Sequence, residues 1–145
     1  MIASSYGRVP AHTSGTANDL IRQRSEESIG RALAGGPDQI SRRLQELDRE
    51  WDIEQVIETD AALTILGGVA LGLAVDRRFL LLSLIGAGGL VLHATTGWYP
   101  FLNLVRRFGY RTAAEISAER YALKAGRGDF RRLEIPLDPA EPRPD

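Results

Sequence analysis

The sequence predicts an all-α membrane protein, a two-helix transmembrane hairpin with flanking cytoplasmic amphipathic helices. Three observations carry this. Between Ala61 and Leu102 the only full charges are Asp76, Arg77 and Arg78, which stand together. Apolar residues at helical spacing precede that block, and a basic stretch with a helix-capping signature follows it. The remaining charge is segregated: Asp38 to Asp60 carries eight acids and three arginines, a balance of −5, and Asn103 to Arg132 carries eight basic residues and three acids, a balance of +5.

At 145 residues the chain is about one domain's worth. With no cysteine it has no disulfide, thiolate metal site or cysteine nucleophile. The N-terminal stretch "MIASSYGRVPAHTSGTANDL" lacks the apolar core behind a basic start that a secretory signal requires.

Residues 1–37 read as a polar region with one short helix. Residues 1–17 are turn-rich and irregular, Asn18 offers an N-cap, and "DLIRQRSEESIGRALA" makes a helix ending at Gly35-Gly36. Its apolar stripe, Leu20, Ile21, Ile29 and Leu33, is thin, so the helix needs a partner. Residues 38–60 read as an acidic amphipathic helix with Ile40, Leu44, Leu47 and Trp51 on one stripe, bending near Thr59-Asp60.

Residues 61–102 form the predicted hairpin. Ala61 to Val75 is uncharged and spans roughly 22 Å at about 1.5 Å per residue, short against a hydrocarbon core of about 30 Å; Phe79 to Gly97 reaches roughly 28 Å. "FLLLSLIGAGGLVL" is apolar all round, which argues against a buried hairpin in a soluble bundle. Residues 103–132 continue as basic interfacial and C-terminal helices. Pro100 suits the first turn of "PFLNLVRRF", stopped by Gly109, with Phe101, Leu104, Val105 and Phe108 opposing Arg106 and Arg107. Thr112 and Glu115 make a capping box for the next helix. Residues 133–145 are a proline-rich tail, expected to be extended.

The candidate residues follow from this layout. Gly68 and Gly72 make G-x-x-x-G with Thr64 one turn earlier, and Ser83, Gly86 and Gly89 give the second helix a small face. Such faces let helix backbones approach closely, either within the hairpin or between chains. Trp98, Tyr99, Arg106 and Arg107 read as interfacial anchors. His93, the one titratable group well inside the apolar region, is a candidate haem ligand or proton relay, with a neutral hydrogen-bonding role as the plainer reading. No nucleotide loop, zinc motif or nucleophile set appears, so no catalytic residue, metal or cofactor is expected. "GRGDF" is a helix stop. The basic segment lacks the interleaved aromatics of a strand-binding groove, so anionic lipid rather than nucleic acid is its expected partner. Arginines flank the hairpin on the side of both termini, which the positive-inside rule places in the cytoplasm.

From about Ala61 to Phe130, the hairpin followed by "TTGWYPFLNLVRRFG" and "RTAAEISAERYALKAGRGDF" resembles the YgaP-like transmembrane domain family of bacterial inner-membrane proteins. The resemblance rests on Thr96, Gly97, Trp98, Pro100, Leu102, the helix glycines and the stretch from Tyr121 to Phe130. It implies an inner-membrane location and homodimerisation through the hairpin. Members often carry Cys between the aromatic and the proline, where Tyr99 stands, and some join a rhodanese domain that is missing from this sequence, which disfavours sulfur transfer. The expected function is that of a non-catalytic accessory or assembly subunit packing against other membrane helices. The alternatives are a self-contained homodimer that organises lipid, or a haem- or proton-handling subunit using His93.

Overall fold

The structure is a computed structural model and describes residues 7–132. The described residues are helical and contain no strand. A short helix α1 (Arg8–Ala11) leads into α2 (Gly15–Ala34), which is followed by α3 (Gly36–Leu47), α4 (Ile53–Ala74), a 3-10 turn (Arg77–Phe79), α5 (Leu80–Thr96), α6 (Leu102–Arg107), α7 (Ala113–Arg127) and a second 3-10 turn (Asp129–Arg132).

Several elements differ from the sequence expectation. Helix α2 starts four residues before Asp19, because Ser14 rather than Asn18 is its N-cap and accepts a hydrogen bond from the Ala17 N–H. Asn18 lies within the helix and spends its side chain on the Pro10 carbonyl and on Arg106. The face that α2 buries is Ala17, Ile21 and Ala32, with Ser25 and Ser28 between them; Leu20 and Leu33 are exposed. Helix α3 stops at Leu47, so Trp51 leaves the expected stripe and is 54% exposed. The boundary expected at residue 60 does not exist. Asp52 caps α4 by accepting from the Gln55 N–H, and the helix runs unbroken from Ile53 through Asp60 into the apolar run. This makes α4 a 22-residue helix, about 33 Å long at 1.5 Å per residue, rather than a short one. The expected tail lies outside the described residues.

Helices α2, α3 and α7 each pack on the other two and close a small bundle. Its apolar core is Ala32, Ile40, Leu44, Leu47, Ile116 and Leu123. The Thr112 capping box forms as expected, with Thr112 accepting from the Glu115 N–H and Glu115 from the Thr112 N–H. A second core, Val9, Ile53, Ile57, Tyr99 and Leu102, joins the bundle side to the start of α4 and the end of α5.

Helices α4 and α5 run antiparallel in close contact; α4, and α5 together with the 3-10 turn before it (Arg77–Thr96, 20 residues), are long and apolar enough to cross a membrane. Asp76 turns the chain by accepting from the Arg78 N–H. At the other end, α5 closes on Gly97 in the left-handed region at φ +79°, where Arg8 donates to the carbonyls of Ala94 and Thr95. A Cβ on Gly97 would stand 2.8 Å from the Arg8 carbonyl carbon, so this turn needs glycine twice over.

Candidate functional site

Every glycine and small polar residue singled out for helix packing except Gly89 lies in the seam between α4 and α5. A Cβ added to Gly68 would stand 2.6 Å from the Ser83 backbone nitrogen, and one on Gly72 would stand 2.6 Å from Leu80 Cδ2. Gly86 faces Thr64 Cγ2 and the Ala61 carbonyl, 3.1 and 3.3 Å from where its Cβ would be. Ser83 donates to the Ile65 carbonyl at 2.8 Å, tying the two helices together. Gly89 instead makes room for the Tyr99 ring, 3.2 Å from its missing Cβ. The G-x-x-x-G face is therefore occupied within the chain, leaving the opposite sides of both helices as the free surface.

That free surface is apolar. Leu63, Leu66 and Leu73 of α4 and Leu81, Leu84, Ile85 and Val91 of α5 are all more than 60% exposed. Only 22% of the most apolar window of α4 and 6% of that of α5 are buried. A soluble core helix of this composition buries most of such a window, since each buried leucine is worth about 2 kcal/mol.

The four residues read as interfacial anchors separate into two pairs. Trp98 and Arg107 are exposed. Arg106 is not an anchor: it is fully buried, donating to both Glu115 oxygens at 2.6 and 2.8 Å and to Asn18 Oδ1 at 2.8 Å. Tyr99 is also buried, 6% exposed, with its hydroxyl donating to Asp60 at 2.7 Å. The reason is the helical sweep of α6. Leu102 and Arg106 share the inward face one turn apart, Phe101, Leu104 and Phe108 share an exposed face, and Arg107 falls between that face and α2.

His93 packs its ring edge-on against Tyr99, with centroids 6.2 Å apart, and its buried Nδ1 has no hydrogen-bond partner among the described residues. Among the described residues no three His, Asp or Glu side chains cluster as a metal-binding set.

The bundle also has a polar interior, and the sequence does not specify its pairings. Glu119 is 1% exposed and accepts from Ser28 at 2.7 Å, from Arg43 Nε at 2.9 Å and from Arg111. Arg111 also makes a fork to both oxygens of Glu50 at 2.6 and 2.7 Å, and Arg120 reaches Asp48 at 2.8 Å. Burial pushes the Glu119 carboxyl up, but the hydrogen bonds from Arg43, Arg111 and Ser28 outweigh it and hold the group below its ordinary value of 4.5. Glu115 is lowered in the same way: burial is outweighed by Arg106 and the Thr112 N–H. The −5 and +5 segments thus pair within one chain. The sequence carried a signal for this in the equal and opposite balances on either side of the apolar block, but not the register that selects particular pairs.

Compared with protein-family models, curated proteins and solved structures, the chain matches none.

Proposed function

We propose that this chain is a small integral membrane protein in which α4 and α5 cross the bilayer as a hairpin, and the α2–α3–α7 bundle sits with both termini in the cytoplasm. The observation that carries this reading is the outward leucine surface of two helices whose inward faces are already satisfied by each other. Lipid is the environment in which that surface costs nothing, because hydrocarbon is as apolar as leucine. The side assignment rests on the excess of arginine before α4 and after α5 over the Arg77–Arg78 loop.

Within this reading the protein is a non-catalytic accessory or assembly subunit of the bacterial inner membrane. Its exposed leucines pack against partner helices, and its bundle offers them a rigid, charge-locked support. The resemblance to the YgaP-like family belongs to the same proposal. A homodimer remains the second reading, although the occupied seam means it would use the outer faces of α4 and α5 rather than G-x-x-x-G.

The absence of cysteine makes a direct test possible. Single cysteines replacing Arg78, in the α4–α5 turn, and Tyr121, on the exposed face of α7, are treated with a membrane-impermeant maleimide on intact and on broken cells. Labelling at 78 in intact cells, with labelling at 121 only after breakage, is the expected result. Equal labelling of both in intact cells, or release of the protein by alkaline carbonate, overturns the reading. The accessory role is tested by mild detergent extraction: co-migration with one larger complex supports it, and migration as an isolated dimer favours the second reading.

A further inference from the structure

Most arginines that the sequence offered to lipid are spent inside the protein. Arg106 is taken by Glu115, Arg111 by Glu50 and Glu119, Arg120 by Asp48, and Arg127 by Asp129. Arg107 differs: it is exposed and carries no ion pair among the described residues. It stands beside an open groove of about 490 Å³ between the start of α2 and α6, lined by Ser14, Thr16, Ala17, Leu20, Asn103 and Arg107. The groove is two-faced. Ala17 and the 38%-exposed Leu20 make its apolar wall, while the hydroxyls, the Asn103 amide and the guanidinium make its polar rim. Asn103 is fixed by accepting from the Ser14 N–H at 3.0 Å, so the two walls are tied together. On α6 the exposed apolar face of Phe101, Leu104 and Phe108 adjoins Arg107.

We infer that this groove holds the headgroup of an anionic phospholipid, with Arg107 bound to the phosphate and the glycerol end against Leu20. The inference rests on the membrane-spanning reading above. It commits to an anionic lipid because charge and apolar wall occur together: a single unneutralised guanidinium complements the uncompensated charge of an anionic headgroup, which a zwitterionic one offsets with its own ammonium, and Leu20 has no role in holding a free anion. The volume suits a headgroup with its glycerol rather than a whole lipid, whose chains would lie along the apolar face of α6.

The test uses the full chain in a neutral detergent, with native mass spectrometry counting retained lipid. Short-chain phosphatidylglycerol is titrated against phosphatidylcholine of the same chain length, with inorganic phosphate as a third probe. The expected result is one phosphatidylglycerol retained, about tenfold weaker binding in Arg107→Gln, and recovery in Arg107→Lys, as loss of one charge-assisted contact implies. Leu20→Ser weakens the lipid and leaves inorganic phosphate unaffected. Circular dichroism at wild-type amplitude shows that each variant is folded. Equal retention of phosphatidylcholine, unchanged affinity in Arg107→Gln, or displacement by inorganic phosphate at comparable concentration overturns the proposal. Conversion of a dimer to a monomer by Arg107→Gln would assign the groove to a second copy and overturn it too. Retention is read in micelles, so a failed topology experiment and a failed lipid experiment are distinguishable.

Discussion

The most demanding prediction concerns Glu119→Gln. In the native bundle this carboxylate receives Ser28, two donors of Arg43 and one of Arg111, and it is 1% exposed. An amide of the same shape places an N–H₂ group where one oxygen stood, so an arginine donor meets another donor. It also removes the negative charge that two guanidinium groups share. Breaking a buried pair costs about 3–5 kcal/mol. The lower end applies here, because Arg111 keeps Glu50 and Arg43 keeps Glu46 at 2.9 Å. About 3 kcal/mol corresponds to roughly a hundredfold faster hydrogen exchange at the protected amides of α2, α3 and α7, measured on the full chain in detergent. Glu46→Gln is the reference, since that side chain is 64% exposed and its pair is worth under about 1 kcal/mol. Equal exchange in the two variants would refute the claim that the buried network holds the bundle. The same network fixes the pH response. Glu115 and Glu119 have folded values below 4.5, so the unfolded chain binds more protons as pH falls. Their contribution is fully present above the unfolded value and is lost as pH falls through the depressed folded values. The share of bundle protection that these two groups supply is therefore flat from pH 7 to about 5 and declines on further acidification, and this acid decline is less steep in Glu119→Gln. Glu54, raised by burial beside the Ala113 N–H, acts in the opposite sense.

Three further substitutions probe the rest of the structure. Gly68→Val drives a side chain into the Ser83 backbone and opens the α4–α5 seam, lowering the detergent thermal midpoint by the equivalent of about 1–3 kcal/mol, whereas Gly67→Ala, with open space around it, is neutral. Tyr99→Phe removes the donor to Asp60 and costs about 1.5 kcal/mol in the same assay, and an unchanged midpoint would show that Asp60 finds water instead. Thr112→Ala breaks the capping box of a buried threonine, costs about 1 kcal/mol, and shows as faster exchange confined to the first turn of α7.

The elements most legible in sequence were those with local causes. The second apolar run ends where Gly97 takes φ +79°, and the T-x-x-E signature at Thr112 produces its capping box, because both depend on residues within one helical turn. Small faces on α4 and α5 were also legible, since G-x-x-x-G spacing is itself the packing surface. What failed depended on distant partners. Arg106 and Arg107 are chemically identical neighbours, and what separates them is which face of α6 turns inward, where Glu115 and Asn18 wait for a guanidinium. Trp51 satisfied the stripe of α3, but Asp52 began a new helix and removed it from that register. Ser25 and Ser28 stand between the apolar positions of α2 and carry no sequence signal of their own. They are hydrogen-bond partners of Arg111 and Glu119, and each partner lies more than 80 residues away in sequence.

The split of the bundle across the apolar helices has a biosynthetic meaning. Helices α2 and α3 emerge from the ribosome long before α7, so Arg43 and Glu50 wait for Glu119 and Arg111 until both intervening helices have been made. If α4 and α5 cross a bilayer, the two halves share one side only when both helices have crossed or neither has. A chain in which just one had inserted would leave α7 on the opposite side, with four ionic partners stranded from each other. In that case closure of the bundle separates a completed hairpin from a half-inserted chain, which would present an open, unprotected α2–α3 pair to cellular proteolysis.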